Sequence, residues 1–452
     1  VSEEEAKVLT REENDLLCRV EGDAPMGQLM RRHWIPACMI EEVAQKDGAP
    51  VRVRLLGEDL VAFRDTQGRV GVIGEHCPHR RASLVFGRNE ECGLRCLYHG
   101  WKMDVEGNVV EMASEPPSDR VRPAIRHTAY PTREAGGFVW VYMGPQSEMP
   151  PFEPPAFAPT EATNVSIVKL QVDCNWAQIL EGAIDSAHSS TLHANDIPAA
   201  NTDRTTATGT VWARPTNDKS PRIQVQRTSY GMRYAAIRRP IRNPETDDYV
   251  RITTFVAPIT VLIPPNNVYG LANVNVPMDD THTAFYFIAW SDWGPGVEQE
   301  AWRKFCAARV GIDVDAQFHR IRTLENNYLQ DRQAMKLGDH TGIPGIPNQD
   351  IAMWETMGPI ADRSAEHLGA SDIAIVQFRR IMVDAVKRFA RGEPAIGTAA
   401  PRIAHAKLRA YEGIVPRTTD WRTLGVDDDV IAMDRAATPP RPAATTSSQP
   451  AD

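Results

Sequence analysis

The residues with the most distinctive chemistry are two short Cys/His pairs. Cys77-Pro78-His79 is followed by Cys96-Leu97-Tyr98-His99, giving the spacing C-x-H-x16-C-x2-H. Two thiolates and two imidazoles are a metal-ligand set. Within each pair a short turn can aim both side chains at one centre. Gly74 precedes the first pair, and Gly93 and Gly100 flank the second, as loops of this kind need. Three arrangements fit the residue types: unrelated core side chains, a structural zinc ion, or a two-iron cluster with cysteines on one iron and histidines on the other. Four ligand-type residues in two tight pairs argue against coincidence. Zinc sites more often join C-x2-C to H-x3–5-H, whereas each pair here mixes one Cys with one His. Cys92 lies near the pairs but off the spacing.

A second constellation is Glu181, Asp185, His188 and His193, spaced E-x3-D-x2-H-x4-H. The first three are four and three residues apart, which puts them on one face of a helix. His193 is five residues past His188, about 140° away on a regular helix. If both bind one metal, the helix must end or bulge between them. Ser189, Ser190 and Thr191 are poor helix formers, so a distorted helix end is predicted at 189–192. Alone, this stretch also reads as a polar helix face with two incidental histidines. A third feature is charge. Arginines 214, 222, 227, 233, 238, 239, 242 and 251, with Lys219, face only Asp218, Glu245, Asp247 and Asp248. This local excess of +5 sits inside a chain of net charge −9. Most such arginines would be the solvated face of a sheet. One or two turned inward could hold a carboxylate bidentately.

The elements that must position these residues follow from patterning. Residues 1–35 read as a polar start and a short helix opened by Pro25, with Leu29, Met30 and His33 at helical spacing. Short strands follow over 36–150. They include the alternating stretch 51–65, residues 68–73 after the turn Thr66-Gln67-Gly68, a hairpin turn at Val105–Asn108, and a strand at 136–144. Five prolines in residues 149–159 exclude regular structure and mark a domain boundary. The second region, 151–436, opens with a strand at 164–173 and a helix at 175–188. Candidate strands fill 205–290, and late helices are predicted at 302–310, 350–357 and 372–391, the last with Ser371 as N-cap and Gly392 just past its end. The tail, 437–452, is rich in Pro, Ala, Thr and Ser and reads as disordered. The pattern is α+β: a small all-β domain, then a larger domain of sheet and helices.

Composition bounds the rest. With 452 residues, 42% hydrophobic and 24% charged, the chain is globular and holds two to three domains. Seven scattered cysteines exclude a secreted disulfide scaffold and point to a reducing compartment. The start, VSEEEAKVLTREEN, is no targeting peptide, and the apolar run Phe255–Pro265 is too short to span a bilayer. An acidic chain without a basic tail is a poor nucleic-acid binder. The expectation is a cytoplasmic protein with neither a membrane nor a nucleic-acid partner.

The sequences CPHRRASL at 77–84 and CLYHGWKMDVEGN at 96–108 resemble the Rieske box of the ring-hydroxylating oxygenases. The resemblance implies an N-terminal Rieske domain and a helix-grip, START-like catalytic domain with an antiparallel sheet and flanking helices. It implies a Rieske 2Fe–2S cluster held by Cys77, His79, Cys96 and His99, with the cysteines on one iron and the histidines on the other. Joined to such a box, His188 and His193 with a remote carboxylate make the facial triad of a mononuclear Fe(II) site. Candidate acids in residues 347–363 are Asp350, Glu355 and Asp362; the family pattern favours Asp350, and Asp362 could instead be a salt-bridge partner of Arg363. Asp185 matches a position expected to link an iron histidine to a Rieske histidine of the next subunit. That implies a head-to-tail homotrimer, which could stack into a hexamer. The stretches EGAIDSAHSSTLH and NQDIAMWETMGPIADR resemble members acting on a benzene dicarboxylate. This implies O2-dependent cis-dihydroxylation of phthalate at C4–C5, with Arg214, Arg251 and Ser186 as substrate contacts. A monooxygenase or O-demethylase of another aromatic carboxylate is the alternative outcome. The chain lacks G-x-G-x-x-G and C-x4-C-x2-C runs, so its NADH-derived electrons would come from a separate flavin and 2Fe–2S reductase.

Overall fold

A computed structural model describes residues 9–116, 125–201, 212–265, 269–400 and 402–437. The tail beyond 437 and residues 205–211 of the expected sheet region lie outside them.

The chain begins with two helices rather than one: α1 (Arg11–Cys18), closed by a capping box between Thr10 and Glu13, and α2 (Pro25–Met30), with Pro25 at its first turn. Strands β1 (Trp34–Met39), β2 (Val51–Leu55), β3 (Glu58–Arg64) and β4 (Val70–Gly74) follow. The stretch 51–65 is not one strand. It is the β2–β3 hairpin, turned at Leu56-Gly57, where both residues have positive φ. Its turn carries Leu56 rather than Asn or Asp beside Gly57, so the usual hairpin punctuation is missing there. The next strands are β5 (Arg88–Glu90), β6 (Gly93–Arg95), β7 (Trp101–Met103) and β8 (Val109–Met112), a small antiparallel sheet. The β7–β8 turn holds Gly107 at φ +79°, where a side chain would be strained. Strands β9 (Ala129–Tyr130), β10 (Thr132–Ala135) and β11 (Phe138–Tyr142) complete this half. The proline-rich segment has neither helix nor strand, yet Phe157 is buried in the main core.

The larger half is built on one antiparallel sheet. Strands β12 (Asn164–Val172), β13 (Arg222–Thr228), β14 (Gly231–Arg238), β15 (Asp247–Val256), β16 (Thr260–Ile263), β17 (Gly270–Pro277), β18 (Thr283–Ser291) and β19 (Tyr411–Pro416) are arranged β12-β18-β17-β16-β15-β14-β13, with β19 paired to β15. The arginine-rich stretch therefore enters the sheet at Arg222; Arg214 precedes it and makes an isolated bridge with Ala199. Helix α3 (Trp176–Ile184) crosses β16 and β17. The later helices are α4 (Gln299–Phe305), α5 (Arg332–Lys336), α6 (Ile346–Thr356) and α7 (Ile373–Phe389). Ser371 lies in a 3-10 turn, and Asp372 takes the N-cap of α7. Helices α3 and α6 touch at Gly182, where an added Cβ would lie 2.2 Å from Trp354 Nε1. A helical glycine costs about 1 kcal/mol relative to alanine. Here it lets two helices approach closely: α6 carries Asp350, and Asp185 directly follows the end of α3.

Candidate functional site

The Cys/His pairs sit at the ends of two loops with the same backbone frame. In the first, Cys77 N–H donates to Ala82 O (2.9 Å) and Arg81 N–H to Cys77 O (2.9 Å). In the second, Cys96 N–H donates to Trp101 O (2.8 Å) and Gly100 N–H to Cys96 O (3.0 Å). Each loop closes on a left-handed residue, Arg81 (φ +65°) or Gly100 (φ +72°). The loops bring Cys77 next to Cys96, both buried, and set His79 edge-on to His99 with ring centroids 4.5 Å apart. Burial and the Cys96 sulfur push the Cys77 thiol up to about 11, while backbone N–H groups of His79 and Arg80 act to lower it. His79 also stacks on Trp101 at 4.6 Å, and its Nδ1 is buried without a hydrogen-bond partner. A buried, unpaired imidazole nitrogen beside two thiols fits a metal centre. Among the described residues, only His188, His193 and Asp350 bring three His, Cys, Asp or Glu ligand atoms within 4.8 Å of one another. The four loop residues are therefore not gathered around one point. That spread disfavours a single tetrahedral zinc and suits a two-iron cluster. Cys92 lies outside the set, its N–H donated to Thr66 Oγ1.

The second constellation differs from its expected form. Helix α3 ends at Ile184, not 188, so Asp185 and His188 do not share its face with Glu181. The break comes at Asp185 rather than at 189–192. Asp185 is extended (ψ 111°), and its Oδ1 accepts Ala187 N–H at 2.7 Å, a local turn that competes with helix. Arg238 Nη2 donates to Ser186 O (2.7 Å), holding that carbonyl away from any helix. A 3-10 turn, His188–Ser190, follows. Glu181 faces the other way. Its buried carboxylate binds Arg363 Nε and Arg379 Nε, each at 2.7 Å. Burial raises its pKa, but the two guanidiniums outweigh that and hold it at about 2.

His188, His193 and Asp350 converge. Asp350 Oδ1 lies 3.5 Å from His188 Nε2 and 3.1 Å from His193 Nε2. The other ring nitrogens are engaged elsewhere, His188 Nδ1 with Asp185 Oδ2 (3.5 Å) and His193 Nδ1 with Gln349 Oε1 (2.7 Å). Both Nε2 lone pairs are thus free to meet one cation beside the carboxylate, the donor set of a facial triad. Burial pulls the His188 pKa down, but Asp185 and Asp350 outweigh it and the net shift is upward. The rival acids are committed elsewhere. Glu355 is buried against Arg320 and accepts from Tyr328 Oη (2.9 Å) and Asp173 N–H (2.8 Å). Asp362 is exposed and caps Ser364 N–H (3.0 Å); Arg363 pairs with Glu181 instead. Gln349, the partner of His193, was not read from sequence, because an amide beside a ligand carries no spacing signature of its own.

The triad opens into a cavity with two kinds of wall. Leu271, Phe285 and Phe287 form an apolar side, while Ser186, Arg214 and Arg251 line it with polar atoms. Arg214 is 6% exposed and its Nη1 donates to Ser189 Oγ at 2.7 Å. Burial, reinforced by Arg251 and Arg238, pushes its pKa down to about 9. Arg251 is 3% exposed, with Nη1 3.1 Å from Glu412 Oε1 and Nη2 donating to Pro264 O (2.9 Å). Arg238, also buried, grips the His188 turn through Ser186 and Ser190. Of the stretch's other arginines, 222 and 227 are exposed on a sheet strand, 239 and 242 are exposed beyond the strand ends, and Arg233 is buried and donates to Arg422 O (3.0 Å), so a solvated sheet face accounts for only two of the eight. No helix among the described residues is long and apolar enough to cross a membrane.

Residues 33–127 match the Rieske [2Fe-2S] domain, and residues 141–442 match the LigXa C-terminal domain like family. The oxygenase subunit of phthalate 4,5-dioxygenase from Pseudomonas putida is 62% identical over 92% of this chain and 94% of its own. The oxygenase subunit of 3-chlorobenzoate-3,4-dioxygenase from Comamonas testosteroni is 36% identical over 92% of this chain and 97% of its own. The terminal oxygenase of carbazole 1,9a-dioxygenase from Nocardioides aromaticivorans IC177 shares the fold, with a TM-score of 0.53 and 19% identity over 83% of this chain and 97% of its own.

Proposed function

The chain belongs to the Rieske non-haem iron ring-hydroxylating oxygenases, and from that premise we propose that it is the oxygenase component that cis-dihydroxylates phthalate at C4–C5. The observation that carries this reading is that two buried guanidiniums, Arg214 and Arg251, line the same cavity as His188, His193 and Asp350. A neutral arene would need neither. Two adjacent carboxylates on one ring edge match two cations on one wall. The apolar side, Leu271, Phe285 and Phe287, then takes the ring, and the opposite C4–C5 edge is the part left to face the triad. Ser186, which lines the cavity, is a third candidate contact.

Cys77, Cys96, His79 and His99 would hold the 2Fe–2S cluster, and His188, His193 and Asp350 the mononuclear iron. When bound, these groups supply one-electron transfer and dioxygen activation respectively. The residues around them orient and insulate. Asp185 and Gln349 fix the Nδ1 sides of the two histidines, which leaves both Nε2 atoms unprotonated for the metal. The buried walls exclude water from the reacting edge.

In this reading a separate reductase passes electrons from NADH, and the chains form a head-to-tail trimer in which Asp185 meets His79 or His99 of the next subunit. A heterologous contact of that kind closes a ring. The apolar rim of the cluster loops supports it: Phe86, Leu97 and Tyr98 are 70%, 63% and 58% exposed, as an interface patch would be in a lone chain. Oxygen uptake with reductase, compared across the three benzene dicarboxylate isomers, tests the substrate. Stimulation is expected with phthalate; equal or greater stimulation by the isomers with separated carboxylates would overturn the reading.

A further inference from the structure

Of the two triad histidines, His193 is the more deeply buried, at 2% exposure, and its Nδ1 has a neutral partner. That partner, Gln349, is itself held at three points. Its Oε1 lies 2.7 Å from His193 Nδ1, and its Nε2 donates to Asp196 Oδ2 (2.9 Å) and Ile343 O (3.0 Å). Both Nε2 partners can only accept: one is a carboxylate, the other a backbone carbonyl. Turning the amide over would point its oxygen at two other oxygens and its NH2 at His193. The orientation is therefore fixed by chemistry, although amide oxygen and nitrogen look alike in shape. With the oxygen facing it, His193 Nδ1 must be the donor. In the neutral ring, Nε2 then carries the lone pair and faces Asp350 Oδ1 at 3.1 Å.

We propose that Gln349 is a positioning residue, whose amide is locked by Asp196 and Ile343 so that His193 is held in its Nδ1–H tautomer and presents Nε2 to the metal. The two triad histidines are thus set by different devices, a carboxylate at His188 and a carboxylate-anchored amide at His193. The amide also ties together three chain segments. Asp196 belongs to the turn after His193, where Ile197 N–H donates to His193 O (2.9 Å). Ile343 precedes α6, and Gln349 sits on α6 directly before Asp350. One side chain therefore sets the ring's tautomer and holds the ring's turn against the helix that carries the acid. Loss of such an outer contact typically weakens metal affinity 10–100-fold.

This inference rests on the reading of His188, His193 and Asp350 as one metal site. The test uses full-length protein carrying its Rieske cluster but stripped of mononuclear metal, titrated with Co(II) and read by dissociation constant and visible ligand-field spectrum. Parent protein that fails to bind Co(II) would sink the metal-site reading itself. If the parent binds, Gln349→Leu should bind about 10–100-fold more weakly with an altered spectrum. Parent-like affinity and spectrum in Gln349→Leu would overturn the inference. Gln349→Met fills a similar volume without a hydrogen-bonding amide and should bind Co(II) about as weakly as Gln349→Leu. Should Gln349→Leu not fold, Gln349→Met decides alone: parent-like affinity and spectrum in it would mean that only packing matters at this position.

Discussion

Replacing Arg214 with methionine separates substrate binding from folding. Methionine keeps most of the apolar stem and deletes the guanidinium fork. In the ligand-free protein Arg214 is a buried cation crowded by Arg251 and Arg238, which is why its pKa falls to about 9. A basic group whose folded-state pKa is lowered opposes folding while it is charged, and that cost begins to fall only above about 9, where the folded chain sheds the proton before the unfolded chain does. Arg214→Met should therefore melt no earlier than the parent without ligand at pH 7. A dianion reverses the balance. Losing one partner of a buried guanidinium–carboxylate pair costs about 2–3 kcal/mol at the low end of the usual range, or roughly 30–150-fold in Kd. At phthalate equal to about 100 times the parent Kd, ligand stabilises the parent by about 2.7 kcal/mol. At roughly 2 °C per kcal/mol for a domain this large, that is a rise of about 5 °C in Tm. In the variant the same concentration is about one to three times its Kd and stabilises by only about 0.3–0.9 kcal/mol, under about 2 °C. Differential scanning fluorimetry with and without phthalate reads both. A variant that melts several degrees lower without ligand, yet keeps the full phthalate shift, would refute the argument. Arg251 cannot serve in the same way. Removing it strands buried Glu412, so Arg251→Met should lose about 3–5 kcal/mol of stability before any ligand is added.

Two further outcomes follow from the geometry. Glu181 is held at about 2 by Arg363 and Arg379, so its contribution is complete above the ordinary carboxylate range and is lost as pH falls toward 2; Glu181→Gln should cost about 3–5 kcal/mol at pH 7 in denaturant unfolding and flatten the acid limb, and an unchanged acid limb would contradict this. Asp350→Ala should leave a chain that retains cluster iron and its visible spectrum but loses the mononuclear metal; metal analysis showing parent-level iron would remove Asp350 from the site.

The ligand-type residues were legible because chemistry constrains both their identity and their spacing. Cys77, His79, Cys96 and His99 stand in two loops with one hydrogen-bond frame, and the sequence spacing is the trace of that frame. His188 and His193 were legible as a pair, but the helix was drawn too long. Local propensity pointed to Ser189 through Thr191 as the breakers. The actual stop is Asp185, whose side chain takes the N–H of Ala187, assisted by Arg238 from a distant strand. That second contact has no local signal. Glu181 looked like part of the same face, and only the fold reveals Arg363 and Arg379 waiting for it. The β2–β3 turn at Leu56-Gly57 carries no Asn, Asp or Pro to punctuate it, so the hairpin reads from sequence as one strand. Charge patterning identified the arginine-rich stretch, but not which members turn inward. Arg214 lies outside the regular sheet, and Arg238 does structural service to the His188 turn.

Insertion of both atoms of dioxygen into the C4–C5 edge of phthalate leaves an isotopic record in the product. Reaction of phthalate with 18O2, reductase and NADH, followed by mass spectrometry, reads that record. The expected product is a cis-4,5-dihydrodiol carrying two labelled oxygens. A product with one labelled oxygen, or turnover with release of formaldehyde from a methoxylated aromatic acid and none from phthalate, would contradict it.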